Sequence, residues 1–506
     1  MLLHHPFQAT AQRVPDRCAL VCGERRHSYA EVERLAAGVA TQLRQAGVAR
    51  GDRVLLMMDN SVELVAAIYG VLKAGAVMVP VHALTRADKL AWLLQHTEAV
   101  ALLTQASLHS AFRPALLRSP GLRLCSVAGG AVQGAERPFP RGEAPTLAPA
   151  DAEGVIDQDL AALLYTSGST GRPKGVMLTH LNMLSAARSV SDYLGLQGED
   201  VIFNALPLSF GYGLYQVLMA FALGATVVLE RSFAFPQRVL QTLARERVTV
   251  FPGVPTMHAL LLAQSGLERH DLGALRLITN AAAALPLAHV QALQQRLPQA
   301  RLYSMYGLTE CKRVSYLPPE QLALRPGSVG RGMPNQEMWL VDEAGRRLPH
   351  GHTGELVVRG SHVMRGYWRD PEQTELRLRH GPLPGERVLH TGDLFRTDEQ
   401  GYLYFVARSD DIIKSRGEKV SPREVEDVLY ALDGVFQAAV VGVPDATLGQ
   451  AVKAFVVPSP GHRLDERAVL RHCMDHLESF MVPRSVCFVD ALPHTDTGKI
   501  TRAGLA

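Results

Sequence analysis

The apolar positions near the start of the chain switch repeatedly between two periods. Val32, Leu35, Val39 and Leu43 fall on one face of a helix. Ser28 and Glu31 form a capping box ahead of it, and Gly47 stops it before an apolar strand from Val54 to Met58. Asn60 then reads as the cap of a helix that runs through Lys73 and ends at Gly75, and Ala76 to Val81 is strand-like again. Such alternation predicts an α/β fold whose sheets are buried between helices.

The pattern continues downstream. Residues 128–153 are rich in Gly, Pro and Ala without periodicity and read as a surface connection. Asp200 to Pro207 and Val248 to Pro252 read as buried strands, and Leu287 to Leu297 as a helix ended by Pro298. Charge density rises from Ala407 to Asp411, and a compact set of signals follows. Ser421-Pro422 opens a helix through Leu432, strands cover Gln437 to Val443 and Ala451 to Val457, and a helix covers Asp465 to Glu478. The fold class expected is thus a large N-terminal domain of sheets layered with helices, 1–408, and a small α+β C-terminal domain, 409–506.

Composition narrows the function. With 506 residues, 47% hydrophobic and 20% charged, the chain can bury a large core. Lys plus Arg number 52 against 49 Asp plus Glu, a net charge of +3 without a long basic run, which argues against nucleic acid or an anionic membrane as partner. Cys18, Cys22, Cys125, Cys311, Cys473 and Cys487 are scattered, and the close pair brackets an apolar strand, so neither a disulfide framework nor a zinc site is expected. The apolar stretch from Leu64 to Val81 is interrupted by Lys73 and Pro80, and the residues from Met1 to Pro6 lack the pattern of a signal peptide. A cytoplasmic enzyme without a membrane span is the expectation.

The chemistry starts at Leu163 to Gly175. An apolar strand runs into Thr166, Ser167, Gly168, Ser169, Thr170 and Gly171, followed by Lys174. Glycine lets backbone approach a polyphosphate, amides and hydroxyls donate to its oxygens, and the Lys174 ammonium offsets its charge. The NTPase loop with Gly-Lys-Ser/Thr is absent, because Lys174 stands between Pro173 and Gly175. Further along lie Tyr303 to Glu310, then His390-Thr391-Gly392-Asp393, then Ala407 to Gly417, then Pro493 to Lys499.

These segments, in this order, resemble the acyl-adenylate-forming superfamily of acyl-CoA synthetases, adenylation domains and beetle luciferase, from about Phe7 to Lys499. The resemblance implies ATP and Mg²⁺ as cofactors, and CoA or a carrier-protein phosphopantetheine as thiol acceptor. It implies an AMP-forming carboxylate–thiol ligase, in which acid and ATP give acyl-AMP and pyrophosphate before a thioester forms. Glu310 would be the metal ligand with Thr166 as second contact, since Mg²⁺ prefers hard oxygen donors. Tyr306, with Gly307 and Thr309 beside it, would offer a ring face to adenine. Asp393 would hold the ribose diol with Arg408 in support. Lys499 would bridge acid and α-phosphate. Asp410 would be the hinge of a mobile small domain, and Lys414 and Gly417 would line a thiol tunnel.

The resemblance places the acyl pocket at Phe210, Gly211, Asn280, Ala281 and Met305. Phe210 stands where many relatives carry histidine, and Gly211 where amino-acid-activating domains keep an aspartate. The run from Cys311 to Pro319 is nevertheless similar to stand-alone ligases that load a carrier protein, some with proline. The alternatives are therefore an amino-acid adenylation enzyme serving a carrier protein, an oxygen-using enzyme of the luciferase kind, and a nucleotide-binding protein without turnover.

Overall fold

The computed structural model describes residues 1–142, 154–166, 173–408, 411–415, 418–445, 449–495, 500–502 and 504–505. Three sheets organise them. An eight-stranded sheet runs Gly366–Tyr367, Lys174–Thr179, Leu160–Thr166, Val77–Val81, Arg53–Met57, Ala99–Gln105, Leu124–Ala128 and Glu136–Pro138. A fourteen-stranded sheet has a parallel centre, Val201–Asn204, Val250–Gly253, Leu277–Asn280 and Arg301–Tyr306, and continues into antiparallel strands that include Arg387–Thr397 and Leu403–Arg408. One contiguous apolar core, from Leu3 to Leu403, lies between these sheets and their helices.

Residues from Ile413 onward build a five-stranded sheet of their own. Strands Val435–Asp445 and Gly449–Pro458 pair antiparallel at its centre. Val425, Leu429, Val469 and Cys473, from helices Pro422–Ala431 and Glu466–His476, bury against it in a separate core. No described helix is long and apolar enough to cross a membrane.

Local signals hold where a side chain meets its own backbone. The Ser28–Glu31 capping box is present in full and opens helix Tyr29–Gln45. Ser421 and Asp465 cap the two C-terminal helices. At Asn60 the expectation fails. Ser61 caps helix Val62–Lys73 by accepting from the Leu64 amide, whereas Asn60 donates to the Leu206 and Glu230 carbonyls and accepts from Leu208. A distant loop supplies better partners than the adjacent helix end, and the sequence cannot show that loop. Lys73 is 1% exposed, yet its ammonium lies 2.6 Å from Glu33, so the charge is buried as a pair. The stretch read as a surface connection also contributes strand Glu136–Pro138 and the buried Phe139, with 143–153 outside the described residues.

Candidate active site

Strands Val250–Gly253, Leu277–Asn280 and Arg301–Tyr306 run parallel and end level, with Gly253 opposite Asn280 and Asn280 opposite Ser304. Crevices at the carboxyl ends of parallel strands are where open α/β sheets bind ligands. Here Gly307, directly after Tyr306, lines a small solvent-open cleft at those strand ends. Phe210, Gly211, Ala281, Gly307 and Thr309 line it, joined by Leu164 from the neighbouring sheet. Two further pocket expectations stand behind this lining. Asn280 is buried with its amide donating to the Ala283 carbonyl, and Met305 is buried with its sulfur accepting from the Tyr193 hydroxyl.

The phosphate-loop expectation falls on a hairpin. Strand Leu160–Thr166 pairs antiparallel with Lys174–Thr179, and Thr166 sits opposite Lys174. Ser167, Gly168, Ser169, Thr170 and Gly171 lie outside the described residues, but their flanks fix two half-buried ends of one loop. The chain leaves that loop as a strand, unlike an NTPase loop, which opens a helix.

A segment absent from the sequence reading ties this hairpin to Glu310. Gly366–Tyr367 adds antiparallel to Met177 and Val176, and the Met364 amide donates to the Glu310 carbonyl. The Tyr367 hydroxyl donates to Glu310 Oε1 at 2.7 Å, and its ring lies 5.6 Å from Lys174 Nζ. Gln373 Oε1 accepts from the same ammonium at 2.7 Å. Burial and the nearby Glu310 charge push the Tyr367 phenol far up, so it stays a donor.

Asp393 is 6% exposed. It accepts from the Tyr306 hydroxyl at 2.6 Å and from Arg408 Nε at 3.1 Å. Burial raises its pKa, against the downward pull of Arg408. The Gly392 turn has φ +71°, and Glu355 secures it by accepting from the Gly392 amide at 2.9 Å, with His390 at 3.1 Å from its other oxygen. Tyr306 packs edge-on against Phe395, with ring centroids 4.7 Å apart. This leaves a half-buried aromatic beside a carboxylate, a pair suited to adenine and ribose.

Lys499, Asp410 and Gly417 lie outside the described residues, as does the side chain of Lys414. Lys414 itself sits in strand Ile413–Ser415, opposite Lys419 of the antiparallel strand Glu418–Val420. Glu310 has one oxygen engaged by Tyr367 and no described partner on the other. No cluster of three His, Cys, Asp or Glu stands ready for a metal among the described residues. One carboxylate and no cage fits Mg²⁺, which is usually held by one or two carboxylates together with substrate phosphates.

Sequence reasoning missed Tyr367, Gln373 and Glu355, because each acts through contacts made only in the folded chain. Lys312 and Arg313 also line the cavity. Their signal was present as an unusual pair of cations directly after Glu310-Cys311.

Residues 7–368 match the family described as AMP-binding enzyme, and residues 424–499 match its C-terminal domain. The chain is 35% identical to a feruloyl-CoA synthase of Amycolatopsis sp, over 97% of this chain and 96% of that one. It is 32% identical to 3-[(3aS,4S,7aS)-7a-methyl-1,5-dioxo-octahydro-1H-inden-4-yl]propanoyl:CoA ligase of Rhodococcus jostii, over 98% and 96% of the two chains. Among solved structures, the anthranilate CoA ligase AuaEII in complex with anthranoyl-AMP superposes with a TM-score of 0.91 at 29% identity, covering 100% of this chain and 96% of that one. The chain therefore belongs to the AMP-binding enzyme family, the acyl-adenylate-forming superfamily, and is an enzyme of its AMP-forming acid–thiol ligase type.

Proposed function

We propose that this enzyme activates a compact carboxylic acid other than an α-amino acid and transfers it to CoA. The observation that carries this reading is the shared wall at Gly307 and Thr309, which belongs both to the cavity and to the Tyr306–Glu310 segment. An acid held there meets the nucleotide at its carboxylate end. No described residue lining the cavity is Asp or Glu, so a substrate ammonium would find no counter-charge among them, and Arg313 would repel it. This sets amino-acid adenylation, proline included, below the acyl reading.

The steps follow from charge. The acid's carboxylate oxygen attacks the α-phosphorus of ATP, the bond to the β-phosphate oxygen breaks, and pyrophosphate leaves. Thr166 and Lys174 hold the flanks of the loop that covers the phosphates, and Lys499 offsets charge that builds on the α-phosphate oxygens in the transition state. Mg²⁺ would supply Lewis-acid stabilisation of the same oxygens, held by Glu310 and approached by Thr166. Asp393 and Arg408 orient the ribose, and Tyr306 packs the adenine. The thiolate of CoA then attacks the acyl carbon and AMP departs.

The two steps need different surroundings, and a hinge at Asp410 between 1–408 and 409–506 provides them. Rotation withdraws Lys499 and brings the hairpin of Lys414 and Gly417 over the thiol path. The same phosphopantetheine arm could arrive on a carrier protein, a second acceptor suggested by the run from Cys311 to Pro319. A cytoplasmic location would supply the reaction with both ATP and CoA. Pyrophosphate exchange over a panel of aliphatic, aryl and amino acids, followed by thioester formation with CoA, tests the whole reading. Exchange and CoA thioester with compact non-amino acids are expected; exchange only with an amino acid, or none at all, would overturn it.

A further inference from the structure

Among the described residues, two basic side chains and no carboxylate line the cavity. Arg313 is 2% exposed, and its guanidinium donates no hydrogen bond to any described residue; Nε in particular is buried and unpartnered. Lys312, also buried, gives one hydrogen bond, to the Gly211 carbonyl at 3.1 Å. Its ammonium sits 4.4 Å from the centre of the Tyr215 ring and 5.1 Å from that of Tyr212, while Arg313 lies 5.3 Å from the Tyr212 ring. No described carboxylate forms an ion pair with either. Ring faces stabilise a cation only in part, and a buried charge without a counter-ion is costly.

The backbone is bent to keep this pair in place. Lys312 adopts φ +62°, the left-handed region that a lysine avoids. The Val314 amide donates to the Tyr306 carbonyl at 2.9 Å and folds the segment back on the strand. Gly307 allows the close approach, since a Cβ there would lie 2.8 Å from Arg313 Cα. Burial and the neighbouring Arg313 charge pull the Lys312 pKa well down, so this strained, desolvated basic pair beside small and aromatic walls gains more from an incoming anion than from an alkyl tail.

On the ligase reading above, we propose that Lys312 and Arg313 form a subsite for a second anionic group, so that the enzyme selects short acids whose far end carries a carboxylate. The acid's reacting carboxylate then faces Gly307 and Thr309, while the distal carboxylate takes the hydrogen bonds Arg313 leaves unmade and displaces the Gly211 carbonyl from Lys312.

Matched acids test this: glutarate against pentanoate, and terephthalate against benzoate, each in pyrophosphate exchange. The unmodified enzyme should favour the diacid of a pair by about tenfold or more in kcat/KM. Lys312→Met, close in volume, should erase that ratio chiefly through the KM of the diacid, whereas Arg313→Lys, which keeps the charge, should retain part of it. A preference for the monoacids, or a Lys312→Met variant that slows both members of each pair alike, would overturn the subsite. Should no acid exchange, the ligase reading falls, and calorimetric binding of glutarate against pentanoate to the intact enzyme decides the subsite: equal affinities overturn it, and tighter glutarate binding lost in Lys312→Met supports it.

Discussion

Tyr367 joins the candidate metal ligand to the phosphate-loop lysine, with its hydroxyl on Glu310 Oε1 at 2.7 Å and its ring 5.6 Å from Lys174 Nζ. Tyr367 and Glu310 stand 57 positions apart and are held close by the Met364 amide on the Glu310 carbonyl, while pairing of Gly366–Tyr367 with Met177 and Val176 sets Tyr367 beside the strand that carries Lys174. A phenol that donates to one carboxylate oxygen leaves the other for a hard cation. Tyr367→Phe should therefore lower adenylation roughly ten- to hundredfold, the cost of about 1.5–3 kcal/mol for a hydrogen bond to a charged group. It should also raise the magnesium concentration needed for half-maximal exchange. A magnesium titration of the variant checks this, and an unchanged magnesium dependence would assign Tyr367 to packing alone.

Asp393 has a different balance. Its carboxylate is buried while Arg408 is 53% exposed, so removing the charge leaves no buried orphan. Burial raises its pKa, so ionisation of Asp393 opposes folding as pH rises. Asp393→Asn should raise the KM for ATP about tenfold or more while thermal stability at neutral pH holds or rises slightly. Parallel kinetics and melting curves distinguish this from a general loss of fold.

Acid should destabilise the enzyme through buried histidines. His180, His258 and His362 are each at most 1% exposed, and burial lowers their pKa values from 6.5 to about 4. Unfolded, they take up protons near pH 6.5, whereas folded they resist until about pH 4. The stability is present above pH 6.5 and is lost as pH falls toward 4, by up to about 3 kcal/mol for each group. The melting temperature should fall steeply across that window, and His362→Gln should flatten part of the slope.

Lys499 is assigned from sequence pattern alone. Lys499→Ala should abolish acyl-AMP formation while ATP binding persists, measured by pyrophosphate exchange beside nucleotide calorimetry. A near-normal exchange rate would remove Lys499 from the adenylation step.

The hinge has its own test. Asp410→Pro fixes φ at the proposed pivot and should slow thioester formation more than adenylation. Equal losses in single-turnover measurements of the two steps would count against rotation.

Much of this was legible in the chain itself. The helix bounded by the Ser28–Glu31 box, the strands at 53–57 and 77–81, and the C-terminal helices capped by Ser421 and Asp465 follow from signals within a few residues of one another. Local periodicity and caps act over one or two turns, so a sequence displays them directly. The Thr166 to Lys174 stretch, Tyr306 to Glu310 and Asp393 were legible for a similar reason, since each packs its chemistry into a short contiguous motif.

What the tertiary structure decided is which distant groups meet. Asn60 left its helix end for the Leu206 and Glu230 carbonyls, Glu355 took hold of the Gly392 turn, and Tyr367 and Gln373 closed on Glu310 and Lys174. In the sequence Lys312-Arg313 is only part of the Cys311 to Pro319 run; in the fold it is a buried basic pair on the cavity wall. Burial and partner choice depend on contacts across tens to hundreds of residues, and those contacts are set by how the sheets pack, not by any local pattern.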